Sequence, residues 1–189
     1  MIIAVMALQG AFIEHEQVLQ ELGADTIEIR QKSDWDAFIG AADGEKGLVL
    51  PGGESTVQMR LLRELGLLEP VRQSIADGMP VFGTCAGMIL LSESHLATMD
   101  IRVRRNAYGR QLGSFRTVHN VEGLGADIPM TFIRAPYIEE VLSDDCQVLA
   151  TVDGHIVAAR QNRQLATAFH PELDDDRRIH QFFLSMIKG

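Results

Sequence analysis

The chain has 189 residues, 46% of them hydrophobic and 23% charged, values that suit one globular domain and exclude disordered, collagen-like and coiled-coil chains. Seventeen Lys and Arg against 26 Asp and Glu give a net charge of −9, the wrong sign for a protein that binds nucleic acid by neutralising phosphates. Two cysteines, Cys85 and Cys146, are too few for a disulfide scaffold and lie in no Cys-x-x-Cys or Cys/His metal spacing, so reduced thiols in a cytosolic protein are expected, with no metal and no cofactor.

The apolar start, Ile2 to Ala7, has no basic residues before it and ends at Gln9-Gly10, so it reads as a first buried strand rather than a signal peptide or membrane span. Phe12, His15, Glu16, Leu19 and Leu22 follow at near-helical spacing and are closed by Gly23. Thr26 to Ile29 is a second strand. Ser33 is positioned to cap a short helix carrying Trp35, Phe38 and Ile39, and Gly47 to Leu50 is a third strand running into Pro51-Gly52-Gly53. Thr56 to Leu65 and Pro70 to Ala76 read as helices, and Pro80 to Phe82 as a strand that enters Gly83-Thr84-Cys85-Ala86-Gly87 and a helix to about Glu93.

Strand alternating with helix predicts a mixed, mostly parallel sheet with helices on both faces, an α/β architecture. The second half is strand-rich: Ile101 to Val103, Ser114 to His119, Met130 to Ile133, Gln147 to Val152, His155 to Arg160 and Leu165 to Ala168. Antiparallel pairing is expected there, with Asp153-Gly154 as a two-residue hairpin turn. Asp176 to Ile187 supplies a terminal helix with Ile179, Phe182, Phe183 and Ile187 inward. No repeat or linker breaks the chain, and residues 1–189 read as a single domain.

The chemistry concentrates in three loops. Gly83-x-Cys85-x-Gly87 between a buried strand and a helix is a nucleophile-elbow pattern, in which Gly83, Ala86 and Gly87 are small enough to admit a strained turn that pushes the thiol out. Phe169-His170-Pro171-Glu172 offers a base and its orienter: His170 to take the thiol proton and return it to a leaving amine, Glu172 to hold the other ring nitrogen. The other histidines, His15 and His180 among them, show no such pairing in sequence. Pro51-Gly52-Gly53-Glu54-Ser55-Thr56 ends a neighbouring strand, where ligands of parallel sheets bind. Its glycines, with the N–H of Ala86, are candidate oxyanion donors. The loop lacks the Lys of a P-loop, and Glu54 would repel a phosphate.

Together these pieces resemble the class I (triad) glutamine amidotransferases. The resemblance narrows to the family of glutaminase subunits of pyridoxal 5′-phosphate synthase on six blocks in order. They are Ala7-Leu8-Gln9-Gly10-Ala11-Phe12 with Glu14-His15, Pro51 to Thr56, Gly83 to Met88, Arg105-Asn106-Ala107-Tyr108-Gly109-Arg110-Gln111, Phe132-Ile133-Arg134-Ala135-Pro136, and Ala168 to Leu173. The resemblance implies a flavodoxin-like three-layer fold and hydrolysis of L-glutamine through a γ-glutamyl thioester on Cys85, with His170 and Glu172 completing the triad. It implies oxyanion donors at Gly52, Gly53 and Ala86, and glutamine contacts at Gly53, Glu54, Ser55, Arg105, Ile133 and Arg134.

A zwitterionic amino acid needs a cation or N–H donors and an acidic or carbonyl acceptor, which Arg105 or Arg134 and Glu54 supply. The family also implies a partner: a (β/α)₈ barrel synthase subunit in a large hetero-oligomer, whose docking reorients the Gly52-Gly53 peptide. One departure is the compact stretch Ser92 to Asp100, shorter than is usual in that family, which bears on the placement of Arg105. The competing readings are a glutaminase subunit of imidazole glycerol phosphate or anthranilate synthase, and a PfpI-like redox or chaperone protein.

Overall fold

The computed structural model describes residues 1–41, 44–105 and 114–188. Its first half alternates as expected: β1 (Ile2–Met6), α1 (Phe12–Glu21), β2 (Asp25–Ile29), α2 (Lys32–Gly40), β3 (Lys46–Leu50), α3 (Ser55–Glu64), α4 (Leu68–Ala76), β4 (Val81–Thr84) and α5 (Ala86–Leu91). The second half is β5 (Ile101–Arg104), β6 (Ser114–Val121), β7 (Gly125–Ile133), β8 (Tyr137–Val141), β9 (Cys146–Val152), β10 (His155–Gln161) and β11 (Gln164–Thr167), then a 3₁₀ turn at Pro171–Leu173 and α6 (Arg178–Lys188).

Nine strands form one sheet in the order β2-β1-β3-β4-β11-β10-β8-β5, with β9 on β10, while β6 and β7 pair as a separate hairpin. The five strands from β2 to β11 run parallel, and β1, β3, β4 and β11 are buried almost throughout because both sheet faces are covered. The remaining pairings are antiparallel. The Asp153-Gly154 hairpin is present, both residues at positive φ (50° and 80°) between the paired Val152 and His155.

Alternation along β4 sorts the helices onto two faces. Phe82 and Thr84 point to the side where His15 of α1 and His180 and Phe183 of α6 pack. Gly83 points the other way, against Gly87 and Leu91 of α5, which in turn contacts α3.

Four expectations shift. Ser33 lies inside α2, and the turn before it is held by Asp34, which accepts the N–H groups of Arg30 (3.0 Å) and Gln31 (3.1 Å). Ile39 is 41% exposed, whereas Trp35 and Phe38 are buried, because only those two face the sheet side of a short helix. Phe182 is half-buried, its outer face under the Arg160 guanidinium. Strand β8 has no counterpart in the sequence reading, since Glu139 and Glu140 interrupt its apolar pattern. Among the described residues no helix is long and apolar enough to cross a membrane.

Register places the chemistry. Leu50 lies beside Gly83, and Thr84 beside Thr167, so the loops after β3, β4 and β11 leave the same sheet edge side by side. Val5 lies beside Val49, which brings the loop after β1 next to the loop after β3.

Candidate active site

Cys85 stands between β4 and α5 at φ 50° and ψ −101°, a conformation that side chains rarely adopt. Its N–H donates to the Thr167 carbonyl at 2.7 Å, tying the turn to β11. The glycine requirement is a matter of space. A Cβ on Gly87 would lie 1.9 Å from the Leu50 carbonyl oxygen, so α5 rests directly on the end of β3 and the turn can be this tight.

His170 is fixed from behind by its N–H to the Thr131 carbonyl of β7 (2.8 Å), and Pro171 opens the 3₁₀ turn that carries Glu172 back beneath the ring. His170 Nδ1 lies 2.7 Å from Glu172 Oε1, with both residues buried. Burial alone would lower the His170 pKa, but hydrogen bonds to Cys85 and Glu172 and the negative charge of both raise it to about 10. Both negative neighbours thus favour the protonated ring, which is hydrogen-bonded to the Glu172 carboxylate. Burial likewise opposes the Glu172 charge, and the His15 and His170 rings beside it prevail, holding the carboxyl below the usual range.

His15 is the group that the sequence reading set aside. It is fully buried, its Nε2 lies 3.1 Å from Thr84 Oγ1 and 3.4 Å from Glu172 Oε2, and its Nδ1 lies 3.0 Å from His180 Nε2. The reading of His15 and His180 as histidines without a pairing is thus corrected. The signal available was position, for His15 shares the inward stripe of α1 with Leu19. A polar ring on an apolar stripe needs a buried partner.

A small polar pocket opens over Cys85, lined by Gly53, Glu54, Ser55, Ala86, Arg105, Ile133 and Arg134, with Ile89 and Pro136 as additional walls. Gly52 is held behind it: its carbonyl accepts the Ala11 N–H at 3.1 Å, so the planar peptide turns the Gly53 N–H to the opposite side. Gln9 buttresses the same loop, its Oε1 accepting the Glu54 N–H (2.7 Å) and its carbonyl accepting Gln58 Nε2 (2.9 Å). Gln9 and Gln58 had no role in the sequence reading beyond the motif that contains Gln9.

At the mouth Arg105 Nη2 donates to Glu54 Oε1 at 2.7 Å, and the same oxygen accepts from Thr56 Oγ1 at 3.0 Å at the start of α3. The short Ser92–Asp100 connection is compatible with this placement. The Asp100 N–H donates to Gln161 Oε1 (2.7 Å), and Gln164 Nε2 donates to the Thr98 carbonyl (2.6 Å). Ser55 Oγ is buried with no hydrogen-bond partner among the described residues, and Arg134 is held at φ 44°. Both face the pocket, a donor-rich setting for a small polar molecule. Of the Arg105-to-Gln111 motif, positions 106–111 lie outside the described residues.

The geometry has counterparts. A PdxT subunit of pyridoxal 5′-phosphate synthase from Desulfitobacterium hafniense is 53% identical over 194 residues, covering 99% of this chain and 94% of that protein. The protein of the same name from Streptococcus pneumoniae is 52% identical over 193 residues, covering 98% and 97%. The crystal structure of a glutamine amidotransferase superposes with a TM-score of 0.88 at 38% identity, covering 99% of each chain. A model of the SNO glutamine amidotransferase family matches residues 5–189, and it is to this family that the chain belongs.

Proposed function

We propose that this chain is the glutaminase component of a pyridoxal 5′-phosphate synthase, releasing ammonia from L-glutamine for a barrel-shaped synthase subunit in a large hetero-oligomer. The observation that carries the reading is His170, held at 2.7 Å by Glu172 and within the electrostatic reach of Cys85, beside a pocket that Cys85 lines with the paired Arg105 and Glu54. A redox or chaperone role would leave Glu172 and that pocket without a use. The full-length likeness to subunits of that synthase supports the choice of partner.

Glutamine enters with its α-carboxylate toward Arg105 or Arg134 and its α-ammonium toward Glu54, which places the side-chain amide over Cys85. The thiolate attacks the carboxamide carbon, and the oxygen that becomes negative is received by the N–H groups of Gly53 and Ala86. The His170 imidazolium gives its proton to the departing nitrogen. Ammonia leaves and a γ-glutamyl thioester remains. The now neutral His170 takes a proton from water as the hydroxide adds to the thioester, the Cys85 thiolate is expelled, and the new γ-carboxyl loses its proton to solvent, which leaves glutamate and restores the thiolate–imidazolium pair.

The test is a glutaminase assay of the chain alone and with a pyridoxal 5′-phosphate synthase barrel subunit. A many-fold rise with that subunit, abolished by Cys85→Ala while docking persists, is the expected result. A rise with an imidazole glycerol phosphate or anthranilate synthase partner, and none with the barrel subunit, reassigns the partner.

A further inference from the structure

The mechanism above uses one oxygen of Glu172. Its other oxygen, Oε2, is buried, accepts no hydrogen bond among the described residues, and faces His15 Nε2 at 3.4 Å. His15 and His180 are both fully buried, neither lines the pocket, and the hydrolytic steps assign them nothing. Two imidazoles in an apolar interior nevertheless need a reason.

Their proton positions follow from the contacts. His180 Nδ1 is buried and has no partner among the described residues. A stranded acceptor is tolerated in protein interiors somewhat more often than a stranded N–H. The His180 proton therefore sits on Nε2 and is donated to His15 Nδ1, 3.0 Å away. Burial lowers the His15 pKa below 6.5 despite the nearby Glu172 carboxylate, so the ring is neutral and its single proton lies on Nε2. That N–H is hydrogen-bonded to Thr84 Oγ1 at 3.1 Å, with Glu172 Oε2 facing the same nitrogen at 3.4 Å as the nearby charge. The reverse tautomer would set a bare nitrogen against a carboxylate and strand an N–H on His180.

We propose that His15 is a positioning residue of the glutaminase site, its Nε2–H, oriented by His180, fixing the second oxygen of Glu172 and hence the carboxylate plane from which His170 takes its orientation. The proposal rests on the glutaminase reading. Glu172 then receives N–H dipoles at both oxygens, which keeps it ionised in a buried site. The titratable and charged groups that face Glu172 are His15 and His170, and behind them Glu14 acts on His15, Cys85 on His170, and Arg177 on His180. Removing the His15 dipole raises the carboxyl pKa, so activity is lost at higher pH on acidification.

The experiment measures glutamine hydrolysis against pH for wild type, His15→Leu and His15→Gln, each assembled with the barrel synthase subunit. His15→Leu is expected to lower kcat by about 10- to 100-fold, the factor for losing a polar partner of a buried charge. KM should stay near wild type, and the acid limb of kcat/KM should move to higher pH. His15→Gln, which restores an N–H at similar reach, should recover most of kcat and the limb.

Wild-type kcat and limb in His15→Leu, or equal impairment of both variants with an unmoved limb, overturns the proposal. If His15→Leu does not fold, His180→Phe decides, because it leaves His15 in place without its donor: a limb displaced upward supports the proposal and an unmoved one refutes it. A wild-type complex that releases no ammonia from glutamine overturns instead the glutaminase reading.

Discussion

Gly52 and His170 are separated by so little space that a Cβ on the glycine would lie 2.3 Å from the imidazole Cε1. The Gly52-Gly53 loop and His170, proposed as donor loop and base, are therefore packed against each other. Gly52→Ala should turn the ring away from Cys85 while leaving the sheet intact. A misplacement of about 1 Å is worth roughly 100-fold in rate. Glutaminase kcat in the assembled enzyme, read beside an unchanged circular dichroism spectrum, checks this; activity within twofold of wild type contradicts it.

The pKa of about 10 on His170 gives a second expectation. Below that value the imidazolium can supply the proton for departing ammonia, so the rate should fall as pH rises through it. In Glu172→Gln the anion that favours the imidazolium is gone while burial still opposes it. The alkaline limb should then move to lower pH, with kcat reduced about 100- to 10,000-fold, the upper figure being that for an uncharged orienter in a serine triad. His170→Asn, which removes the base itself, should be worse. A pH–rate profile of each variant decides, and an unmoved alkaline limb in Glu172→Gln would exclude the electrostatic role.

The two thiols should differ in reactivity although both are buried. Burial, reinforced by Asp100, pushes the Cys146 thiol up to about 11, whereas Cys85 lines the pocket beside the His170 imidazolium. Iodoacetamide near neutral pH should label Cys85 at least about tenfold faster than Cys146, and His170→Asn should slow that labelling. Peptide mass spectrometry over a time course reads both rates. Preferential labelling of Cys146 would contradict the assignment.

The Arg105–Glu54 pair is exposed, with side chains 39% and 51% accessible, so its loss should change stability by no more than about 1 kcal/mol. As contacts for the α-carboxylate and α-ammonium, the same residues should matter to substrate. Arg105→Met and Glu54→Gln are expected to raise KM for glutamine about tenfold or more with smaller effects on kcat. Steady-state kinetics beside a thermal melt separates the two roles, and unchanged KM in both variants would remove them from the binding site.

The parallel half was legible because its inner strands are covered on both faces and its helices carry periodic apolar residues. The elbow and His-Pro-Glu were legible because each is local in sequence. Strand β8 was not, since Glu139 and Glu140 break its pattern and only the neighbouring β5 and β10 define it as a strand. The long two-stranded hairpin was only partly legible: Pro129, paired with Val118, breaks a strand pattern unless the strand is an edge. His15 was invisible for another reason. Its partners, Thr84, Glu172 and His180, lie 69 to 165 positions away and meet it only when α1 and α6 share a sheet face.

The first turns of α1 and the loop before it touch both sides of the reaction centre. The Ala11 N–H holds the carbonyl of the peptide that carries the proposed Gly53 donor, Gln9 holds the Glu54 N–H next to it, and four residues on from Ala11, His15 meets the carboxylate behind His170. Under the proposed roles, a displacement of this short segment would reach the Gly52-Gly53 loop and Glu172 together, as a single lever with two ends.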